Sequence, residues 1–544
     1  MISAKYREEN ADRIKKECVR YYTDSKTFSK KKDIYSGHFT GGIPLGYDSE
    51  ESTVYIDATD THAMVYGATG SLKTRSIVMP AIKIMGIAGE SLIINDSKGE
   101  LYNRLAGELY ENGYDIIAIN LRKPSVGNAW NPLYIPYQFY LDGDMDKASE
   151  FANDIANNLM NGEKMGDDPF WNYSASDLFF GLILLLFKYC KDNGKKANSV
   201  NIGNLMVLRR ILFKDNAMAK NSVLWKYASE DELIAASLSG TIFAPNDTRN
   251  SILSVFDQHM RTFTIQPTLM EMLSNNDFDM ASIAERKTAV FMITPDEKTS
   301  YHKLVSLFIK QSYEYIIHHA SLRNDNRLNV RLNFVLDEFS SLPTISDMPA
   351  MISAARSRNI RFLLVVQSKS SLRKKYQEEA ETIISNCSDM IFFTSREIEL
   401  LRELSELCGH QKNGEPNFSV YDLQHLNKER REALVISNRL EPAVVRMIDI
   451  DRFGDKPDGI LGFLKGKRES RNVLDFELPE EIKKKYITNI GMFDSPIPSF
   501  EDFQKNQLKK EEDEKKVREA KWQEILNELD KKIEVLPGGV QDGN

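Results

Sequence analysis

The stretch Gly67-Ala68-Thr69-Gly70-Ser71-Leu72-Lys73-Thr74 follows the phosphate-binding pattern G-x-x-x-x-G-K-[ST] at every fixed position but one, where Leu72 stands for glycine. Ahead of it, His62-Ala63-Met64-Val65-Tyr66 is short and mostly apolar, which reads as a buried strand. Behind it, Ser76-Ile77-Val78-Met79 and Ala81-Ile82-Lys83-Ile84-Met85 read as a helix whose first turns Pro80 bends or interrupts. Strand, glycine-bearing loop and helix are the setting in which backbone amides and a helix N-terminus hold phosphate. In that setting Lys73 reaches the β/γ-phosphates of a nucleotide and the Thr74 hydroxyl ligates Mg²⁺. For the octapeptide alone, a strand-to-helix turn rich in small residues is the plainer alternative.

The missing glycine has a conformational meaning. A loop that turns its amides inward often needs a positive φ, where a residue with a side chain costs about 1–2 kcal/mol. Leucine also places a branched apolar group where backbone should approach an anion closely. Weakened binding and abolished binding both remain open on the sequence.

The 544 residues allow two or three domains with sizeable cores. Hydrophobic content of 42% with 28% charged residues is that of an ordinary soluble globular protein. The four cysteines, Cys18, Cys190, Cys387 and Cys408, form no C-x-x-C pair, which argues for a reducing compartment and against a metal site of that type. A net charge of −8 excludes a surface basic throughout, so contact with nucleic acid would be local, as in a pore or groove. Met1-Ile2-Ser3-Ala4-Lys5 lacks the apolar core of a signal peptide. The longest apolar run, Leu178 to Phe187, is about half of a membrane span and reads as a buried helix. The expectation is a cytoplasmic protein that reaches the cytoplasmic membrane peripherally, through a partner rather than a span of its own.

Outward from the loop, the order of elements is that of an α/β protein. Residues 1–37 form a polar lead-in, helical and irregular. Gly41-Gly42-Ile43-Pro44-Leu45-Gly46 reads as a turn and Thr53–Ile56 as a strand. Ser91-Leu92-Ile93-Ile94-Asn95-Asp96 is a continuous apolar run ending in polar residues, as in a strand buried on both faces of a parallel sheet. Leu101–Asn112 reads as a helix and Asp115–Asn120 as a strand. Between about 141 and 270 apolar residues recur at helical spacing, as in Ser176–Tyr189 and Ile202–Phe213, which predicts an inserted all-α domain. Strands resume at Thr288–Ile293, Asn333–Leu336, Arg361–Val366 and Met390–Phe393, with a long helix over Lys303–Ala320. Leu434–Ile436 and Val444–Ile448 read as a closing hairpin. The alternation implies a doubly wound core with a mainly parallel sheet over 38–140 and 271–455. Residues 456–544 are a C-terminal extension, with a charged amphipathic helix over Glu511–Ile533 that packs on the body or binds a partner.

Asn333-Phe334-Val335-Leu336-Asp337-Glu338 is an apolar strand ending in two carboxylates, the Walker B arrangement. Asp337 would hold Mg²⁺ and Glu338 would polarise the water that attacks the γ-phosphate. Arg361–Gln367 adds a strand ending in a polar residue, where a Gln could contact the γ-phosphate of a nucleotide held by the loop; an ordinary strand end is the competing reading. Asp96-Ser97-Lys98-Gly99-Glu100 ends the strand after the loop's helix, and a capped turn explains Asp96 and Gly99 as well as a site does. Arg356 and Arg358 follow Walker B; Arg356 is the candidate for an arginine supplied to a neighbouring subunit's site, although surface arginines are common. Lys369, Arg373, Lys374 and Lys375 could touch a phosphate backbone, but a solvated helix face is the more ordinary explanation.

Together these segments resemble the VirD4/TraG type IV coupling proteins, the DNA-translocating ATPases of conjugation and type IV secretion. The resemblance runs over about 38–455 and is carried by Gly41-Gly42 through the loop, Asp96–Leu101, Asp168-Pro169-Phe170-Trp171, Val335–Phe339 with Leu342-Pro343, Gln367-Ser368 and Ser385-Asn386-Cys387. It implies a RecA-like P-loop NTPase core with an all-α domain inserted between the Walker motifs, and a homo-hexameric ring with ATP and Mg²⁺ at subunit interfaces. It further implies DNA or a relaxase–DNA complex as cargo and type IV secretion membrane components as partners. Lys73 and Thr74 would then bind phosphate and Mg²⁺, Asp337 the metal, Glu338 would activate water and Gln367 would sense the γ-phosphate. Two departures stand out: Leu72, and the lack of the transmembrane helices with which family members usually begin. The leading expectation is an ATP-driven DNA translocase. The alternatives are a cargo-recognising adaptor ring with weak or absent ATPase because of Leu72, and a coupling ATPase for protein effectors.

Overall fold

The structure, a computed structural model, describes residues 40–160, 169–214, 216–295, 297, 301–437 and 440–453, with positions 12, 18–22, 468, 471, 473–477 and 482. The chain divides into two compact units, Met1–Glu477 and Leu478–Asn544. Nearly all of the second lies outside the described residues, as do Glu511–Ile533 and most of the lead-in.

A small antiparallel sheet opens the fold: β1 (Val19–Tyr22), β2 (Ile43–Asp48) and β3 (Thr53–Asp57), in the order β1-β3-β2. Two sequence readings fail here. The lead-in contributes a strand, and the segment read as a turn over Gly41–Gly46 runs into β2. Proline and glycine suggested a turn, but β2 is an edge strand, the place in a sheet where a residue without an amide hydrogen is tolerated. The register shifts between Pro44 and Gly46, so the strand carries a bulge. Gly42 is needed for close approach, since a Cβ there would lie 2.4 Å from the Asp57 carbonyl oxygen.

The main sheet contains β4 (His62–Tyr66), β5 (Ser91–Asp96), β6 (Asp115–Asn120), β7 (Thr288–Ile293), β8 (Leu332–Leu336), β9 (Ile360–Val366), β10 (Cys387–Phe392), β11 (Glu432–Ser437) and β12 (Leu440–Arg446). Its order is β12-β11-β10-β4-β9-β8-β5-β7-β6. From β10 to β6 every pairing is parallel, and β10–β11 and β11–β12 are antiparallel. β4, β5, β7, β8 and β9 are buried along their whole length, which is why they read as mostly apolar runs, with Asn333 and Arg361 as buried polar exceptions in β8 and β9. Since these strands run the same way, the residues that follow them gather at one edge of the sheet.

The helix behind β4 is irregular where Pro80 demands it. Thr74–Val78 is a π turn, with the Met79 amide bonded to the Thr74 carbonyl, and a regular helix continues over Met79–Ala88. Proline lacks an amide and its ring crowds the carbonyl four residues back, so the ladder widens before it.

Among the described residues, all regular structure between β6 and β7 is helical, from Tyr134 to Glu285. The helix Phe170–Asp192 is long and apolar enough to cross a membrane by length and composition, yet Leu178, Phe179, Leu182, Ile183, Leu185 and Phe187 are fully buried inside the protein. Phe179 meets Phe256 edge-on at 5.6 Å.

The extension past 455, where core signals fade in the sequence, is nevertheless tied down at Arg468, Arg471 and Phe476. Arg468 and Arg471 both pair with Glu271, at 2.9 and 2.7 Å. Phe476 packs on Tyr189, with ring centroids 4.3 Å apart.

Candidate functional site

Gly67 leaves β4, and its amide donates to the Val366 carbonyl at the end of β9, 3.2 Å away. The next amide, of Ala68, donates to the Thr394 carbonyl just beyond β10 at 2.9 Å. The loop is thus stitched to the strands on either side of β4. Gly70 has φ 76° and Leu72 has φ 68°. Leu72 therefore occupies the left-handed conformation for which the pattern prefers glycine, and the loop keeps its turn despite the side chain. Among the described residues, no backbone carbonyl accepts from the amides of Gly70, Leu72, Lys73 or Thr74. Four donors with no protein acceptor at the start of a helix are a donor set suited to a phosphate.

Lys73 is 9% exposed. Its ammonium donates to the Gly67 carbonyl, to the Ala68 carbonyl at 3.1 Å and to Ser71 Oγ at 3.5 Å. Burial pushes its pKa down and the Lys98 charge pushes the same way, while Asp337 and Glu338 oppose both.

Asp337 follows β8, which pairs with β9 on one side and β5 on the other. The Thr74 hydroxyl donates to Asp337 Oδ2 at 2.8 Å, and the Glu338 amide donates to Oδ1 at 3.0 Å. Burial raises the Asp337 pKa and neighbouring Glu338 adds to it, against the Thr74 hydrogen bond and the Lys73 charge. A buried carboxylate beside a hydroxyl, with an ammonium near enough to act on it, is an oxygen donor set for a hard cation such as Mg²⁺. Glu338 is half-buried and left-handed, with φ 54°. Gln367, also half-buried, directly follows β9, the strand between β4 and β8.

Gly67–Thr74, Asp337, Glu338 and Gln367 are thus gathered at one edge of the sheet. Arg356 is not. It is exposed in the turn Arg356–Arg358 that leads into β9, at the opposite end of the strands. Its charge acts instead on His62, at the start of β4, whose imidazole is held down to about 4, chiefly by burial. Asp96 braces the turn ahead of the next helix, whose N-cap residue is Gly99. Its carboxylate accepts from the Gly99 amide at 2.9 Å and the Tyr102 amide at 2.8 Å, at the start of the helix Glu100–Glu111. Burial raises its pKa to about 6.

Three neighbours of the site escape the sequence reading. Asn95 Nδ2 donates to the Asp337 carbonyl at 2.6 Å, and among the described residues its buried Oδ1 has no hydrogen-bond partner. Lys98 adds positive charge near Lys73. Arg75 pairs with Asp449 at 2.7 Å and with Asp451, joining the loop's helix to the segment after β12. Lys98 could have been found, as a cation in the polar turn after a buried strand; Asn95 and Arg75 carry no local signal.

A family model described as type IV secretory system conjugative DNA transfer matches residues 5–432. Protein VirD4 of Rhizobium radiobacter is 22% identical over 451 residues, covering 80% of this chain and 60% of that protein. The chain thus spans about three-fifths of the length of this relative. The bacterial conjugative coupling protein TrwBdeltaN70, in an unbound form, is structurally similar with a TM-score of 0.54 at 16% identity, covering 77% of this chain and 91% of that one. The plasmid coupling protein TrwB in complex with the non-hydrolysable ATP analogue ADPNP matches at a TM-score of 0.49 and 16% identity, over 72% and 86% of the two chains. At such identity the likeness concerns the fold, an α/β P-loop core of RecA-like type with a mainly parallel sheet. With most of its length matched by the family model, the chain belongs to the type IV secretory system conjugative DNA transfer family, as a coupling protein of the VirD4/TraG type.

Proposed function

We propose that this protein is an ATP-driven translocase that couples DNA, or a relaxase–DNA complex, to the membrane components of a type IV secretion channel. ATP with Mg²⁺ is the nucleotide, bound by Gly67–Thr74. The bound nucleotide supplies a phosphoanhydride whose cleavage is exergonic. Lys73 and the loop amides neutralise and orient its phosphates, Thr74 and Asp337 hold the cation, Glu338 orients the attacking water and Gln367 reports the γ-phosphate. The observation that carries this reading is the hydrogen bond from Thr74 to Asp337, which joins two halves of a site 263 residues apart.

The working form is a homo-hexameric ring at the cytoplasmic face of the membrane, reached through a partner protein, with each site completed by the neighbour. The position of Arg356, at the end of the strands away from its own chain's loop, favours action in trans. The helical segment 141–270 serves as the cargo-receiving domain of the motor formed by 38–140 and 271–455.

A second reading, an adaptor ring with little turnover, is favoured by one observation: Leu72 is held in a left-handed conformation. ATP turnover of the full chain with and without DNA, beside the Glu338→Gln variant, decides between them. DNA-stimulated turnover abolished by Glu338→Gln is expected; turnover no higher than that of Glu338→Gln would leave the adaptor. Stimulation by a protein effector and not by DNA would reassign the cargo.

A further inference from the structure

The loop between Glu338 and the helix Met348–Ala355 begins and ends on a strained residue. Glu338 has φ 54° and Asp347 has φ 62°, both left-handed and neither a glycine. Such residues persist only where their surroundings over-determine them. The loop between the two is held by one stripe of the long helix His302–Ser321, whose members recur every four residues and so share a face. His302 Nδ1 lies 3.2 Å from the Ser341 carbonyl, Ser306 Oγ donates to the Pro343 carbonyl at 3.4 Å, and Lys310 Nζ donates to Asp347 Oδ2 at 3.0 Å.

The same helix also grips the helical region. Lys310 Nζ donates to Asp154 Oδ1 at 2.8 Å and lies 3.6 Å from Glu314 Oε1, while Lys303 Nζ reaches the Leu159 carbonyl at 3.2 Å. Asp154 and Leu159 belong to the helix Met145–Met160. Lys310 is 8% exposed and is the shared cation of three carboxylates. Its own pKa is raised by Asp154 and Glu314 against the effect of burial, and that of Glu314 is raised by burial and by Asp154. Without Lys310 the three acids would repel one another, and Asp347, the most exposed of them, would be free to leave.

We infer that Lys310 is a positioning residue that clamps the Glu338–Asp347 loop to the helix Met145–Met160, so that displacement of that helix alters the placement of Glu338. The inference rests on the role given to Glu338 under the proposed function. It connects the helical segment to the hydrolytic carboxylate through the Lys310 side chain and the loop that runs from Glu338 to Asp347.

The test uses the full chain as parent, Lys310→Met, Lys310→Arg and Asp154→Asn. Amide hydrogen exchange over residues 339–347 reads the clamp whether or not ATP is hydrolysed. Exchange about tenfold faster in Lys310→Met, with residues 67–74 unchanged and most of the effect reversed in Lys310→Arg, is expected. Turnover then reads the consequence: kcat down about tenfold in Lys310→Met with nucleotide KM within about twofold of the parent. If Lys310→Met does not fold, Asp154→Asn carries the same comparison, with a smaller acceleration expected. Unchanged exchange over 339–347 overturns the inference, as does a KM that rises in step with the fall in kcat. Faster exchange in a protein that never hydrolyses ATP leaves the clamp standing and removes the role of Glu338.

Discussion

The Thr74 hydroxyl donates a 2.8 Å hydrogen bond to the Asp337 carboxylate, and this single contact joins the loop after β4 to the end of β8. Asp337 is 7% exposed, so the hydroxyl also satisfies a carboxylate that water hardly reaches. Thr74→Val keeps the shape and removes the donor. Stability should fall by about 1–2 kcal/mol and the Mg²⁺ concentration needed for nucleotide binding should rise. Urea unfolding and a Mg²⁺ titration with a fluorescent nucleotide measure the two effects. An unchanged Mg²⁺ requirement would separate Thr74 from the metal.

Leu72 sits at φ 68°, where a side chain strains the backbone. Leu72→Gly relieves that strain but adds freedom to the unfolded chain, leaving a net gain of roughly 0.5–1 kcal/mol. Leu72→Val, branched at Cβ, should lose stability instead. Chemical denaturation of both variants checks the pair. A glycine variant less stable than the parent would mean that leucine contributes packing that outweighs the strain.

A Cβ on Gly67 would lie 2.5 Å from Ser71 Oγ and 3.0 Å from Lys73 Cδ. Gly67→Ala should therefore displace both side chains and weaken nucleotide binding about tenfold or more, with little change in Tm. Adding Ser71→Ala removes the nearer clash and should recover part of the affinity. Isothermal titration of the two proteins shows whether it does.

At the far end of β4, Asp389 is buried beside Asp57, and the Thr61 hydroxyl lies within 3.0 Å of Asp57 and 3.3 Å of Asp389. Burial and the Asp57 charge raise the Asp389 pKa to about 7, from an ordinary value of 3.8, while Asp57 is lowered and keeps the charge. With its folded pKa raised, the native state binds the extra proton, so this residue's contribution declines as pH climbs from about 4 to about 7. Asp389→Asn keeps a donor toward Asp57 and does not titrate. It should be more stable than the parent at pH 8 than at pH 5 by an increment on the order of 2 kcal/mol. Urea midpoints at the two pH values give that increment, and a value near zero would show that the pair shares no proton.

Arg361 is 1% exposed and pairs with Glu90 at 3.2 Å; Glu90 also accepts from Asn333 at 2.9 Å and from the Gly41 amide at 3.0 Å. Glu90→Ala strands a buried cation and should cost roughly 3–5 kcal/mol. Joining it to Arg361→Leu should cost less than the sum of the two single changes. A double-mutant cycle in urea measures the coupling, and strict additivity would show that the pair is not one unit.

The sequence by itself determined the elements whose signal is local. A mostly apolar run of strand length is how a strand buried on both faces reads, so β4, β5, β7, β8 and β9 were legible, along with the loop and the carboxylates that follow β8. Pattern alone misread Gly41–Gly46, because proline and glycine mark an edge strand with a bulge as readily as a turn. Strand order was not legible, and it is the order that sets β9 between β4 and β8 and so brings Gln367 beside the loop and Asp337. Asn95, Arg75 and Lys310 stayed hidden for the same reason: their partners lie far away along the chain. Side-chain periodicity records which face of an element is buried, while the pairing of polar groups across elements depends on how the backbone is routed. That routing, and with it the contact between Thr74 and Asp337, was decided by the tertiary structure.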